Sequence, residues 1–274
     1  MNHDEFDDDV PVGRVLTRRE AMIALAASGA GLLLGRNGTA ASSIAPSSMA
    51  STVCVVKPEK TVGPYFVDNR LNRRDIRLEP SDKSVVPGAK LELTFNVARL
   101  DGNQCAPLQG AMVDVWHCDA KGVYSAVRDP NFGETTNRQF LRGYQVTDKN
   151  GVARFTTIYP GWYQGRAVHI HFKIRHPATS NESYEFTSQL FFDEEMSDEV
   201  FKLPAYRRDR TRATRNENDG IYGRNGGQLT PQWMRAADGY RGTFDIALDL
   251  NDAEVGRPDR SGRPGGGRPP RGNI

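Results

Sequence analysis

Cysteine is scarce in this chain, and no two cysteines form a Cys-x-x-Cys pair. Three occur in 274 residues, at Cys54, Cys105 and Cys118, a spacing that argues against a structural zinc site. Histidine is nearly as sparse, with five copies. No charge of one sign dominates. The formal net charge is +2, and no basic stretch is interleaved with aromatics, so nucleic acid is not an expected partner. Long apolar runs are also missing. The one candidate, residues 21–34, falls short of the roughly 20 residues a bilayer span needs, so no stable span is expected. Outside that run there is no helical periodicity of convincing length and no internal repeat.

The ends of the chain read differently from its middle. Residues 1–16 are polar and acidic, and Arg18-Arg19 precede the apolar run, with small residues at Thr39-Ala40-Ala41-Ser42. That order resembles a twin-arginine export signal, so residues 1–50 are expected to be a signal and flexible linker, and the chain to be exported, periplasmic or extracellular. Beyond residue 50 stand 32 basic and 28 acidic residues, a charge of about +4. Residues 251–274 hold six glycines, four prolines and five arginines. Such a tail buries too little to offset its ordering entropy and is expected to be disordered. An exported location permits disulfides. Cys105 opens the strand region that ends at Cys118, so these two are the expected pair, with Cys54 free; three unpaired thiols are the alternative.

What is present between residues 51 and 250 is period-two alternation. In Leu91-Glu-Leu-Thr-Phe-Asn-Val97 the odd positions are apolar, and Phe244, Ile246, Leu248 and Leu250 repeat the pattern. Further strands are expected over 111–117, 140–146, 152–158, 168–175 and 185–192. Asp101-Gly102, Lys121-Gly122, Asn150-Gly151 and Pro160-Gly161 supply turn signals between them. Many short strands with regular turns predict an all-β, single-domain sandwich with long loops and few short helices, the latter near 196–202 and 231–237. Residues 206–228, rich in arginine, asparagine and glycine, read as a loose loop, and the arginine run 207–215 as a solvated one.

The chemistry concentrates at Arg166-Ala-Val-His169-Ile-His171-Phe-Lys-Ile-Arg175. On a strand, Val168, Ile170, Phe172 and Ile174 point to one face, and His169 and His171 together to the other. Two imidazoles so placed can chelate one metal, although His-x-His alone also suits zinc hydrolases and cupins. No carboxylate flanks the pair. The oxygen donors nearby are tyrosines, including Tyr163. A phenolate is a hard anionic donor suited to Fe(3+), and a bound cation lowers a donor's pKa enough for a tyrosine to ligate ionised. His117, after the buried Trp116, reads as structural, and His176, beside Pro177, as exposed. Tyr144 and Trp162 read as core or cleft wall. For Tyr65 both a cleft position and simple packing stand.

Five segments in series resemble the intradiol ring-cleavage dioxygenases, in the exported branch related to the protocatechuate and catechol enzymes. They are Gly63-Pro-Tyr65, Asp114-Val-Trp-His-Cys-Asp-Ala-Lys-Gly-Val-Tyr124, Tyr159-Pro-Gly-Trp-Tyr163, Arg166-x-x-His169-x-His171 and Ser188-Gln189-Leu-Phe-Phe192. Together they span roughly residues 54–192. The resemblance implies iron(III) held by Tyr124, Tyr163, His169 and His171, with Tyr163 the ligand released by substrate. Arg166 and Gln189 would serve catalysis. The implied substrates are O2 and a catechol or hydroxybenzoate-type diol, opened to a cis,cis-muconate-type diacid; a homodimer is compatible. Only five residues separate Tyr163 from His169, where the well-known cytoplasmic enzymes carry a longer insertion, so their substrate preference does not transfer. Two other functions compete: a non-catalytic transthyretin-like binding module, and a zinc hydrolase built on His169 and His171.

Overall fold

The structure is a computed structural model that describes residues 54–251, except 103, 131 and 178–182. The expectations of an export signal within 1–50 and of a disordered tail over 251–274 fall on residues outside the described ones, save Asn251. The described strands are β1 (Lys90–Asp101), β2 (Gln104–Pro107), β3 (Met112–Trp116), β4 (Arg128–Asp129), β5 (Gly133–Glu134) and β6 (Arg142–Val146). They continue with β7 (Val152–Ile158), β8 (His169–Pro177), β9 (Ser183–Phe191), β10 (Gln232–Ala236) and β11 (Gly239–Leu248), with one helix, α1 (Glu194–Val200), after β9.

Two sheets pack face to face. One has the order β10-β11-β1-β2, with β7 also pairing β1; the other runs β6-β3-β8-β9. The second sheet is antiparallel throughout, whereas β1 and β11 run parallel. Period-two alternation decides which side chains face inward. Leu91, Leu93, Phe95 and Val97 of β1 and Phe244, Ile246 and Leu248 of β11 are buried, as are Ile170, Phe172 and Ile174 of β8. The sheets meet at Phe172, whose ring centroid lies 5.3 Å from Phe95 and 5.4 Å from Phe244. The all-β sandwich expected from the alternation is what the chain forms.

The same alternation turns His169, His171, Lys173 and Arg175 to the outer face of the second sheet. That face is not left to water. The segment that precedes β1 lies across it as a strap. The Lys60 N–H donates to the Thr187 carbonyl at 3.0 Å, the Ser188 hydroxyl to the Pro58 carbonyl at 2.8 Å, and Arg175 pairs with Asp68 at 2.9 Å.

Four expectations are corrected. Cys105 pairs with Cys54, not Cys118, and Cys118 is a buried free thiol. Cys105 lies on β2 of one sheet while Cys118 follows β3 of the other, so closeness in sequence does not bring them together. Residues 231–237 form β10, not a helix: Trp233 stacks on Phe192 at 4.3 Å and its indole N–H donates to the Phe191 carbonyl, while the segment pairs β11 as a hairpin. Residues 206–228 are packed rather than loose, with Tyr206 and Ile221 buried and 3-10 turns at Asn216–Asn218 and Gly223–Leu229. His176 is half-buried rather than exposed.

Candidate active site

Two tight turns deliver two tyrosines to one place. In the first, the Asp119 carboxylate accepts the Lys121 and Val123 N–H groups at 2.8 and 2.9 Å, closing the loop that ends at Tyr124. The second is Pro160-Gly161-Trp162-Tyr163. The turns touch backbone to backbone. A Cβ on Gly122 would lie 2.3 Å from the Trp162 carbonyl oxygen, and one on Gly161 2.5 Å from that of Asp119. Only glycine permits this approach, and the approach sets the two phenols beside each other, their ring centroids 5.8 Å apart. Arg208 fastens the second turn, donating to the Trp162 carbonyl at 2.6 Å and lying over the Trp162 ring at 4.2 Å. Arg212 is nearly buried, paired with Glu194 and Asp198. Arg207, Arg208 and Arg210 are exposed, as a solvated run would be, and Arg212 is the departure from that expectation.

β8 brings the two imidazoles to the same point. His169 Nε2 lies 3.3 Å from Tyr124 Oη, 3.2 Å from Tyr163 Oη and 3.1 Å from His171 Nε2. His169 Nδ1 is 2.7 Å from the Ala167 carbonyl oxygen. That carbonyl can only accept, so Nδ1 carries the proton and Nε2 presents its lone pair to the three neighbours. Trp116 stacks flat on His171 at 5.0 Å, and Tyr65 stacks on Tyr124 at 4.4 Å. Tyr65 therefore sits against the site, with its hydroxyl donating to Asp129 at 2.6 Å. Tyr124 is fully buried, whereas Tyr163 keeps some exposure.

Burial governs the protonation of this cluster. It pushes His169 down to about 3, with the Arg166 charge adding to the effect, and holds His171 well below its ordinary value. Both imidazoles are thus neutral and able to ligate. Burial raises both phenols above their ordinary value; Tyr163 raises Tyr124 further, while the Arg166 charge works against the rise in both.

Arg166 is held from two sides. Its Nη2 donates to Gln189 Oε1 at 2.6 Å and its Nε to Asp219 Oδ2 at 3.0 Å. Gln189, fully buried opposite His171, also donates to the Thr61 carbonyl of the strap at 3.2 Å. Asp219 is the residue the sequence did not reveal. It lies in a polar segment without periodicity, 50 residues from His169 in the chain. Burial works against its charge, but Arg166 and the surrounding N–H groups hold its carboxyl below the usual range.

Arg142 braces the other side. It is buried and donates to the Ser125 carbonyl at 2.6 Å and to the Tyr65 carbonyl at 2.6 Å, so it fixes both backbone segments next to Tyr124. His117 is structural, as expected: its Nδ1 meets the Cys118 carbonyl at 2.8 Å and its Nε2 the Thr157 hydroxyl at 2.7 Å.

Known proteins share this fold and sequence pattern. The dioxygenase family profile matches residues 61–248. The intradiol ring-cleavage dioxygenase from Tetranychus urticae is 30% identical, with a TM-score of 0.61, covering 73% of this chain and 96% of that one. The dioxygenase domain of a dioxygenase–carbohydrate-binding fusion from Streptomyces sp. SirexAA-E is 26% identical, with a TM-score of 0.51, covering 71% and 99%. A chlorocatechol 1,2-dioxygenase from Pseudomonas putida is 30% identical over 105 residues, which is 31% of this chain and 36% of the relative; the match thus spans about a third of that relative's length. Fold, profile and the order of the segments agree: the chain belongs to the intradiol ring-cleavage dioxygenase family.

Proposed function

We propose that this chain opens the ring of a catechol-type diol between its two hydroxylated carbons, with O2, at a non-haem iron(III) centre, giving a cis,cis-muconate-type diacid. The observation that carries the reading is the crowding around His169 Nε2. Three polar atoms lie within 3.3 Å of it, yet an imidazole nitrogen has a single lone pair and cannot satisfy three neighbours. One cation taking a lone pair from each of the four atoms resolves this. Donors bound at about 2.0–2.1 Å to one ion stand roughly 3 Å from each other, the spacing His169 Nε2 already has to the other three. Two phenols and two neutral imidazoles suit a hard trivalent ion: burial disfavours both phenolates until such a charge is present.

Tyr124, Tyr163, His169 and His171 would hold the ion. When bound, ferric iron supplies the charge that ionises the diol and leaves its ring electron-rich toward O2. The remaining work falls to side chains. Tyr163, the more exposed phenol, would be the one to take up a diol proton at Oη, while Tyr124, fully buried, would remain a donor to the ion. Arg166 is a fixed cation beside the site, suited to the negative charge that develops as the ring opens. Gln189 keeps its guanidinium in place. A pure binding module has no use for four converging donors, and the oxygens beside the histidines are phenolic rather than the carboxylates a zinc hydrolase favours.

Oxygen uptake with a panel of substituted catechols tests the reading. Uptake is expected with at least one of them, and Tyr124→Phe or His169→Ala should abolish both uptake and bound iron. Undiminished turnover in either variant would overturn it.

A further inference from the structure

Arg166 and His169 are joined by the Ala167-Val168 backbone, and Asp219 holds that backbone in place. Its side chain is completely buried. Oδ2 accepts the Arg166 Nε–H at 3.0 Å and the Ala167 N–H at 2.6 Å, and Oδ1 accepts the Ile221 and Tyr222 N–H groups at 2.8 and 3.0 Å. One carboxylate thus takes four N–H groups, two from the approach to β8 and two from its own turn. The chain of contacts continues through the backbone. The Ala167 peptide whose N–H ends on Asp219 has a neighbour in the same residue: the Ala167 carbonyl, which accepts the His169 Nδ1–H at 2.7 Å. Asp219 therefore grips the segment that sets both the direction of the Arg166 fork and the hydrogen bond that leaves His169 Nε2 free.

We propose that Asp219 is a positioning residue that aims Arg166 and orients His169, making the 206–228 segment a working part of the active site. The inference rests on the ring-cleavage reading. The Asp219 carboxylate offsets the desolvation of the Arg166 guanidinium, whereas Gln189 offers only a neutral oxygen. A carboxylate that is fully satisfied by N–H groups is not available as a base or as a metal ligand, so its role is exerted through Arg166 and Ala167. Partners one step removed from a metal ligand typically matter by about 10–100-fold in metal affinity or activity.

The test is a double-mutant cycle on the full-length, iron-loaded protein with catechol as probe. Asp219→Asn should lower kcat by about 10–100-fold with little change in KM, and release iron faster to a chelator. In an Arg166→Gln background, Asp219→Asn should cost less in kcat than it does alone, because the part exerted through Arg166 is already gone, while the faster iron release, exerted through Ala167 and His169, should persist. Additive losses, or a single variant with wild-type kcat and iron retention, would overturn the proposal. If Asp219→Asn does not fold, the metal-free wild type still decides. Its Arg166 Nε–H resonance, assigned by its loss in Arg166→Lys, should exchange slowly with water. Exchange at the rate of a free arginine would sink the idea. Failure of the ring-cleavage reading shows separately, as a wild-type protein that consumes no oxygen with any catechol.

Discussion

At the scale of single residues, chemistry was legible wherever spacing alone fixed the outcome. His169 and His171 share a face because strands alternate, and the backbone needed no other information to put them there. The tyrosines were legible as residues but not as a pair of turns in contact; that contact depends on Gly122 and Gly161 having no side chain. Asp219 was not legible at all. Its burial comes from four N–H partners contributed by the fold, and nothing in its own neighbourhood marks it. His117 gives a prediction at this scale. Burial pushes it down to about 4, against an ordinary 6.5, so the fold favours its neutral form. The unfolded chain then binds more protons between those values. Its contribution is fully present above about pH 6.5 and is lost as pH falls toward 4, amounting to about 3 kcal/mol. Urea midpoints of the metal-free protein between pH 4 and 7 should fall on acidification, and His117→Gln should flatten that fall. An unchanged slope would contradict the assignment.

At the scale of elements, period-two runs were read correctly where one face is buried, as in β1, β8 and β11. Within 231–237, Gln232–Ala236 pairs as a strand although Gln-Trp-Met-Arg-Ala suits a helix on local propensity. Tertiary contacts decided otherwise: Trp233 gains a stacked partner in Phe192 and an acceptor in the Phe191 carbonyl, and pairing with β11 satisfies its backbone. Residues 206–228 lack periodicity and so look loose, yet Tyr206, Asp219 and Ile221 are buried and Arg212 pairs with Glu194, while Arg207, Arg208 and Arg210 stay exposed. Between the sheets, Phe172 touches Phe95 and Phe244 from the strand that carries both histidines. Phe172→Ala should cost about 3–5 kcal/mol of unfolding free energy, measured by denaturant titration. A loss under 1 kcal/mol would mean that the sheets do not depend on this contact.

At the scale of the whole molecule, the strap is what closes the outer face of the second sheet, and the Cys54–Cys105 disulfide, joining residues 51 apart in the chain, anchors its start to β2. Peptide mapping without reduction should recover Cys54 linked to Cys105 and Cys118 as a thiol shielded until unfolding. Cys54→Ser should lower stability by about 2–4 kcal/mol; a Cys105–Cys118 peptide would contradict the arrangement.

Metal analysis of the natively matured protein, combined with its visible spectrum, is the sharpest test of whether Tyr124, Tyr163, His169 and His171 form one ferric site. One iron per chain is expected, with a tyrosinate-to-iron(III) charge-transfer band that disappears in Tyr124→Phe. A folded, colourless protein carrying zinc or no metal would contradict it.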